Sequence, residues 1–414
     1  MLKRIKIEQL RLGMHIHEVN GAWMGQPSWS VTCLIDKPSD LQALLSSGLT
    51  EIWIDTSKGV DLGSSPQEAA SVSAEIVTPT TPPAAVAIAI EHPIETEQRV
   101  GVEQEAARAI KICEHAKQAV TTMFHEARMG KALSGNDALT IVEEISHSVS
   151  RNPGALISLA RLKNKDDYTY MHSVAVCALM VSLANQLELD TEQVRQAGLA
   201  GLVHDIGKMM IPTEILNKPG KLTGAEFTMI KNHPGEGHKL LLEGSDISTV
   251  ALDVCLHHHE KIDGSGYPEG LKDEQISLYA KMGAVCDVYD AITSNRPYKN
   301  GWEPADSLRK MSDWCPMHFD RVVFEAFVKS VGIYPVGSLI RLESNRLAVV
   351  IKQSEKSLLT PIVKIFFSIR SDCHIPVEIV DLSKSHCREK IVSHESPEKW
   401  GITNILELWS GILV

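Results

Sequence analysis

No two of the eight cysteines in this 414-residue chain are spaced as a Cys-x-x-Cys pair, so the pattern of a thiolate zinc site is missing. In a chain this long they read as reduced, mostly core thiols of a cytosolic protein. Long apolar runs are missing as well. The longest uninterrupted one, Pro82–Ile90, is too short to span a bilayer. The charged start, Met-Leu-Lys-Arg-Ile-Lys-Ile-Glu, has no apolar core after it, so no secretory signal is expected and the predicted location is cytoplasmic. Nor is there an excess of basic charge. Lys+Arg 41 against Asp+Glu 52 leaves −11, which argues against a surface wrapping DNA or RNA but not against a local basic pocket. No internal repeat is found. What is present, 43% hydrophobic and 22% charged residues, excludes a wholly disordered chain. At roughly 100–200 residues per domain, the length suggests two to four domains.

Residues 1–60 read as a small α+β domain. Ile5–Leu10 and Met14–Val19 alternate as strands do, Asp40–Ser47 reads as a short helix ended by Gly48, and Leu49–Asp55 reads as a strand. Residues 61–103 read as a flexible, acidic, proline-rich linker. From Leu62 to Ala107 there are seven Glu and one Arg, so −6 of the −11 sits there. Residues 104–150 read as a helical pair, Gln104–Met129 and Asn136–Ser150. Ile110, Cys113, Lys117, Val120 and Phe124 mark a face that packs on the next domain or forms a homodimer contact. Residues 151–335 are helix-rich, with capping boxes at Asp190/Gln193 and Thr223/Glu226. Residues 336–414 turn strand-rich at Ser338–Leu342, Leu347–Ile351 and Ile362–Phe367, and end in an amphipathic stretch, Thr403–Leu413. The predicted fold is therefore multi-domain: a mainly α central domain, a small α+β domain before it and a small strand-rich extension after it.

Seven of the 17 histidines fall between His172 and His259, where an even spread would place three or four. They keep patterned company: Met171-His172-Ser173, His204-Asp205-Ile206-Gly207-Lys208, His233-Pro234 and His257-His258-His259-Glu260, followed by Cys286-Asp287-Val288-Tyr289-Asp290. Imidazole with carboxylate is a ligand set for Fe, Mn, Zn, Ni or Co. Neighbours on a helix diverge by about 100°, so His204 and Asp205 suit a metal pair in which the carboxylate bridges. By the same reasoning His258 and His259 suit two ions better than one. A two-metal site activates a water and stabilises in-line displacement at phosphorus. Lys208, one helical turn beyond His204, is expected to hold a phosphate oxygen or the nucleophile. A lone His-Asp or His-Pro dipeptide would be weak evidence; the ordered set is not. His238 and His257 read as exposed or supporting residues, and His115 and His125 as surface residues.

Asp263-Gly-Ser-Gly266-Tyr267-Pro268 after His258-His259-Glu260, together with the His204–Lys208 motif, Asp287-Val-Tyr-Asp290-Ala and Asn295-Arg296-Pro-Tyr-Lys299, resembles the HD-GYP domain. That family is a bacterial subgroup of the HD metal-dependent phosphohydrolases. The resemblance covers roughly residues 145–335, and Leu12-Gly13-Met14 with Ile52-Trp-Ile-Asp55 is similar to a small uncharacterised domain often found before HD-GYP domains. It implies a cyclic di-GMP phosphodiesterase forming pGpG and then GMP. The implied metal ligands are His172, His204, Asp205, His233, His258, His259 and Asp287, with Asp205 bridging two divalent ions, iron or manganese before nickel, cobalt or zinc. The implied catalytic group is His204, Asp205 and Lys208. The implied substrate contacts are Gly266, Tyr267 and Pro268 of the loop, with Arg296 and Lys299 on phosphate. Contact of that loop with GGDEF-domain proteins is also implied. Some members carry a Glu one turn before the first histidine that helps hold a third metal. Tyr168 stands at that position here, so a binuclear site is expected. Two other readings stand beside the enzyme: a catalytically weak cyclic di-GMP receptor module, and an HD phosphohydrolase of another cyclic nucleotide.

Overall fold

Residues 2–18, 33–34, 41, 51–58, 60, 99–161, 168–218, 220–294, 301–354 and 356–412 are described by the computed structural model. They fall into two units, Met1–Glu91 and His92–Val414.

In the first unit, β1 (Leu2–Lys6), β2 (His15–Glu18), β3 (Cys33–Leu34) and β4 (Glu51–Asp55) form an antiparallel sheet in the order β1-β4-β2-β3. Ile5, Ile7, Leu10, Met14 and Ile54 are its buried core. The strand expected over Ile5–Leu10 stops at Lys6. Ile7–Gln9 is a 3-10 turn instead, tied by the Lys6 N–H donating to the Gln9 side-chain oxygen at 3.0 Å. The helix expected over Asp40–Ser47 lies outside the described residues apart from Leu41, as does the 61–103 linker up to residue 98; its last two residues, Val102 and Glu103, already belong to the first helix of the second unit.

The second unit begins with α1 (Val102–Arg128), α2 (Gly135–Arg151), α3 (Pro153–Arg161), α4 (Tyr168–Gln186) and α5 (Thr191–Val203). The buried face of α1 is Ala106, Ala109, Cys113, Ala116, Val120 and Phe124. Ile110 and Lys117, expected on that face, lie at its flank; the small alanines, not the longer side chains, let the neighbouring helices approach. α4 is the central helix. Every residue from Met171 to Ala184 is buried, as expected of a helix apolar on all sides. α5 packs close to it because Gly198 and Gly201 carry no side chain. A Cβ on Gly198 would lie 2.9 Å from Val181.

Then follow α6 (Thr213–Leu216), α7 (Gly224–Ile230), α8 (His233–Leu242), α9 (Thr249–His257), α10 (Leu278–Thr293), α11 (Pro304–His318) and α12 (Arg321–Val331). Both expected capping boxes form. The Gln193 N–H donates to Asp190 at 2.9 Å, and the Glu226 N–H to Thr223 at 3.3 Å.

The chain ends in β5 (Leu339–Leu342), β6 (Arg346–Lys352), β7 (Ile362–Ser368), β8 (Cys373–Asp381) and β9 (Ile391–His394), antiparallel in the order β8-β7-β6-β5-β9, and α13 (Ile405–Ser410). One sheet face (Leu339, Leu347, Val349, Phe366) joins the helical core. The other (Ile340, Leu342, Ala348, Val350, Val363, Ile365) closes a small core of its own. α13 packs on α1 and β6 and buries Trp409. β8 and β9 escape a reading by alternation. β8 is a largely exposed edge strand containing Pro376, a residue that only an edge tolerates. Among the described residues, no helix is long and apolar enough to cross a membrane. Of the seven cysteines described as free thiols, Cys113, Cys177, Cys255, Cys286 and Cys315 are buried.

Candidate metal centre

Five segments deliver side chains to one buried point. His172 comes from the middle of α4, where the all-apolar helix holds it 1% exposed. α5 ends at Val203, His204 is its cap, and the chain tightens into a 3-10 turn over Ile206–Met210. That turn sits directly on the start of α8. A Cβ on Gly207 would lie 1.9 Å from the His233 carbonyl oxygen, so only glycine lets the two ligand-bearing segments meet. His233 opens α8, His258 caps α9, His259 follows it, and Asp287 lies on α10.

The donors form two groups able to hold a metal ion. His172, His204, Asp205 and Asp287 make one and His233, His258 and His259 the other, each with its ligand atoms within 4.8 Å of one another. Asp205 stands between them. Its Oδ2 lies 3.3 Å from Nε2 of both His172 and His204. Its Oδ1 lies 3.3 Å from His233 Nε2 and 3.7 Å from His258 Nε2. Asp287 Oδ1 is 3.0 Å from His172, and its Oδ2 is 3.8 Å from His259. Against the expectation that His258 and His259 divide between two ions, both face the same group. α9 stops at His257, so His259 leaves the helical path and turns back.

The fit to cations is visible in what the protein leaves unsatisfied. His204 Nε2 and Asp205 Oδ1 are buried without a hydrogen-bond partner, an arrangement that costs free energy unless a cation completes it. Meanwhile the other ring nitrogens are engaged. Nδ1 of His172 donates to Asp290 at 2.6 Å, of His204 to the Gly201 carbonyl at 2.8 Å, of His233 to the Ile230 carbonyl at 2.7 Å, and of His258 to the Val254 carbonyl at 3.0 Å. These bonds fix each tautomer and aim Nε2 inward. Burial opposes ionisation of Asp205, but Lys208 and the imidazoles around it hold its carboxyl well below the usual range. Asp287 is held low in the same way by His172. Burial alone would lower His172, yet hydrogen bonds to Asp205, Asp287 and Asp290 lift it to about 10. Burial and its cationic neighbours push His259 down to about 3.

Lys208 does not lie one α-helical turn beyond His204, because the turn there is 3-10. Its ammonium donates to Asp205 Oδ2. Tyr168, in the position expected for a third-metal Glu, stacks its ring on His172 with centroids 5.8 Å apart. His257 joins neither group and binds Asp253 at 2.8 Å. His238 is half-buried rather than exposed, while His115 and His125 are on the surface as expected.

Tyr267 reaches the rim. Its ring lies 4.7 Å from that of His259, and its N–H donates to the His259 carbonyl at 3.2 Å. The Tyr267–Pro268 peptide is cis. Gly266 passes against the backbone of Glu260, where a Cβ would lie 2.5 Å from Cα. The loop is clamped by a residue to which sequence reasoning assigned no role. The carboxylate of Glu260, 2% exposed, accepts backbone N–H bonds from Glu269, Gly270 and Leu271 at 2.7, 3.0 and 3.0 Å. Sequence reasoning gave Asp290 no role either; its place three residues beyond Asp287 on the same helix is the signal that could have found it, whereas Glu260 left no such spacing. Arg296 and Lys299 lie outside the described residues.

Comparison with known proteins agrees with this geometry. Residues 146–323 match the model of the HD domain, and residues 2–138 that of a domain of unknown function (DUF3391). The chain is 55% identical over 413 residues to a cyclic di-GMP phosphodiesterase of Pseudomonas aeruginosa, covering 100% of this chain and 96% of that protein. It is 48% identical over 122 residues to a cyclic di-GMP phosphodiesterase response regulator of Xanthomonas campestris (29% of this chain, 32% of the relative). It is 41% identical over 167 residues to a 3'3'-cGAMP-specific phosphodiesterase of Vibrio cholerae (40% and 38%). The full-length likeness to the Pseudomonas protein and the two histidine–aspartate groups lead to one conclusion: this chain belongs to the family of HD-domain cyclic di-GMP phosphodiesterases.

Proposed function

We propose that the chain hydrolyses cyclic di-GMP at a binuclear centre, opening the ring to pGpG and continuing to GMP. The observation that carries this reading is Asp205, whose two oxygens face different groups of imidazoles. Two divalent ions held there, iron or manganese before nickel, cobalt or zinc, would supply an activated water and neutralise charge at phosphorus. The donor set supports hard or borderline ions, since no thiolate is among it. His172, His204, Asp205 and Asp287 would hold one ion and His233, His258 and His259 the other, with Asp205 shared.

The protein's own groups divide the remaining work. Lys208 keeps Asp205 ionised and places a positive charge beside the reacting phosphate. Asp290 and the backbone carbonyls behind the other histidines keep the Nε2 atoms aimed. Tyr267, held by the Glu260 clamp, closes the rim against a nucleotide, and Gly266 and Pro268 shape that loop. Arg296 and Lys299 are assigned to phosphate on sequence grounds.

Product analysis on anaerobically purified protein, with metal content measured on the same sample, tests this reading. Release of pGpG and GMP with two ions per chain is the expected result. Three tightly bound ions, or no product from metal-loaded protein, would sink it. The likeness to the Vibrio cholerae 3'3'-cGAMP-specific enzyme favours including mixed cyclic dinucleotides in the substrate panel.

A further inference from the structure

From the placement of one cation at the rim, we infer that Lys231 binds the second, non-scissile phosphodiester of the substrate; this rests on the cyclic dinucleotide reading above. Lys231 caps the C-terminus of α7, two residues before His233. Its ammonium lies 5.2 Å from the ring centroid of Phe227 and 5.8 Å from that of Tyr267. Tyr267 in turn leans on His259. A path therefore runs from Lys231 through Tyr267 to the second imidazole group, and the lysine marks its outer end.

The charge chemistry leaves this lysine available. Lys208 is committed to Asp205 deep in the site, and Lys261 to His318 at 3.4 Å. Lys218 and Lys239, its neighbours along the chain, are paired with Glu226 and Glu236. Among the described residues, no carboxylate pairs with Lys231. Its neighbours are aromatic faces, which hold a cation in place without neutralising it. A cyclic dinucleotide carries two phosphodiesters. When one meets the metal centre, the other is a separate anion that needs its own partner. Beside Lys231, Phe227 is 48% exposed. A large ring held open next to a free cation is the combination that binds a phosphate together with the face of its base.

Lys231→Met tests this, because it keeps an apolar stem against both rings and removes only the charge. Steady-state kinetics are measured on metal-loaded full-length protein with cyclic di-GMP and with bis(p-nitrophenyl) phosphate, an ester with a single phosphate. The expected result is a rise in KM for cyclic di-GMP of about tenfold or more, with kcat and metal content retained, a weaker salt dependence, and a much smaller rise in KM for the one-phosphate ester. Lys231→Arg should restore most of the affinity. An unchanged KM for cyclic di-GMP overturns the assignment, and so does an equal loss on both substrates accompanied by loss of metal. Wild-type protein unable to cleave cyclic di-GMP would remove the substrate reading and the role of Lys231 with it. An active wild type alongside an unaffected Lys231→Met removes the role of Lys231 alone.

Discussion

Glu105 and Asp205 are both buried carboxylates, and their surroundings are opposite in kind. Glu105, 0% exposed, is satisfied by the protein itself. Arg151 donates to it through Nε and Nη2 at 2.8 Å each, and Ser148 Oγ donates at 2.8 Å. Asp205, also 0% exposed, has one ammonium, a ring of imidazoles and an oxygen with no hydrogen-bond partner. Burial of charge by itself therefore does not mark a functional site. A buried anion whose partners are fixed donors braces helices, here α1 against α2. A buried anion whose neighbours are themselves lone-pair donors awaits a cation.

The most forceful way to break this contrast is to remove Asp205 and His204 together. The double Ala variant should lose roughly 10³-fold or more of the hydrolysis rate, since even one stabilising donor is worth about 10²–10³. Metal analysis should find the ions gone and circular dichroism the helicity kept; wild-type rates would erase the proposed site. Glu105→Ala should do the reverse. It removes the buried carboxylate to which Arg151 and Ser148 donate and should cost about 3–5 kcal/mol in urea unfolding, with metal content unchanged. Loss of metal in that variant would mean that the two carboxylates are not independent.

Proton linkage sharpens the same contrast. His172, raised to about 10 in the fold from an ordinary 6.5, contributes stability that is complete below pH 6.5 and is lost as pH rises toward 10. His259, lowered to about 3, acts in the other direction: stability is lost as pH falls from 6.5 toward 3. Chelator-treated protein should therefore have its highest Tm near pH 6–7. Metal should lift the alkaline arm most, because binding requires His172 neutral and releases its proton. A chelated protein whose Tm is flat across that window would contradict both assignments.

Smaller effects follow. Glu260→Gln replaces one acceptor of the three-N–H clamp with a donor. It should raise KM for cyclic di-GMP about tenfold, the worth of one unsatisfied buried group, with metal content kept. Smallest is Lys364→Ala, which removes an ion pair to the exposed Glu103 at 3.0 Å and should change stability by no more than about 1 kcal/mol.

Much of the site was legible because its chemistry is written in residue type and order. His172, His204-Asp205, His233, His258-His259 and Asp287 stand out against any even spread of histidines, and helix-period runs surround them. Their grouping was not legible. Whether His258 and His259 share an ion depends on α9 ending at His257, and helix ends shift by a residue or two without a strong local signal. An α-helical period places Lys208 one turn beyond His204, and the 3-10 turn over Ile206–Met210 redirects it. Glu260 and Lys231 act across distances of sequence that no local pattern links. β8 was hidden because an exposed edge strand has no buried face to alternate against.

By itself, then, the sequence determined the ligand types, the helical character of the catalytic part and the strand character of its tail, since each follows from side-chain chemistry and local period. Only the tertiary structure decided that Asp205 lies between two imidazole groups, that Glu260 closes the Tyr267 loop and that Lys231 stands at the rim with no carboxylate partner among the described residues. Convergence of segments far apart in the chain is set by how helices pack, through contacts such as Gly207 against His233, and packing is not a local property of the chain.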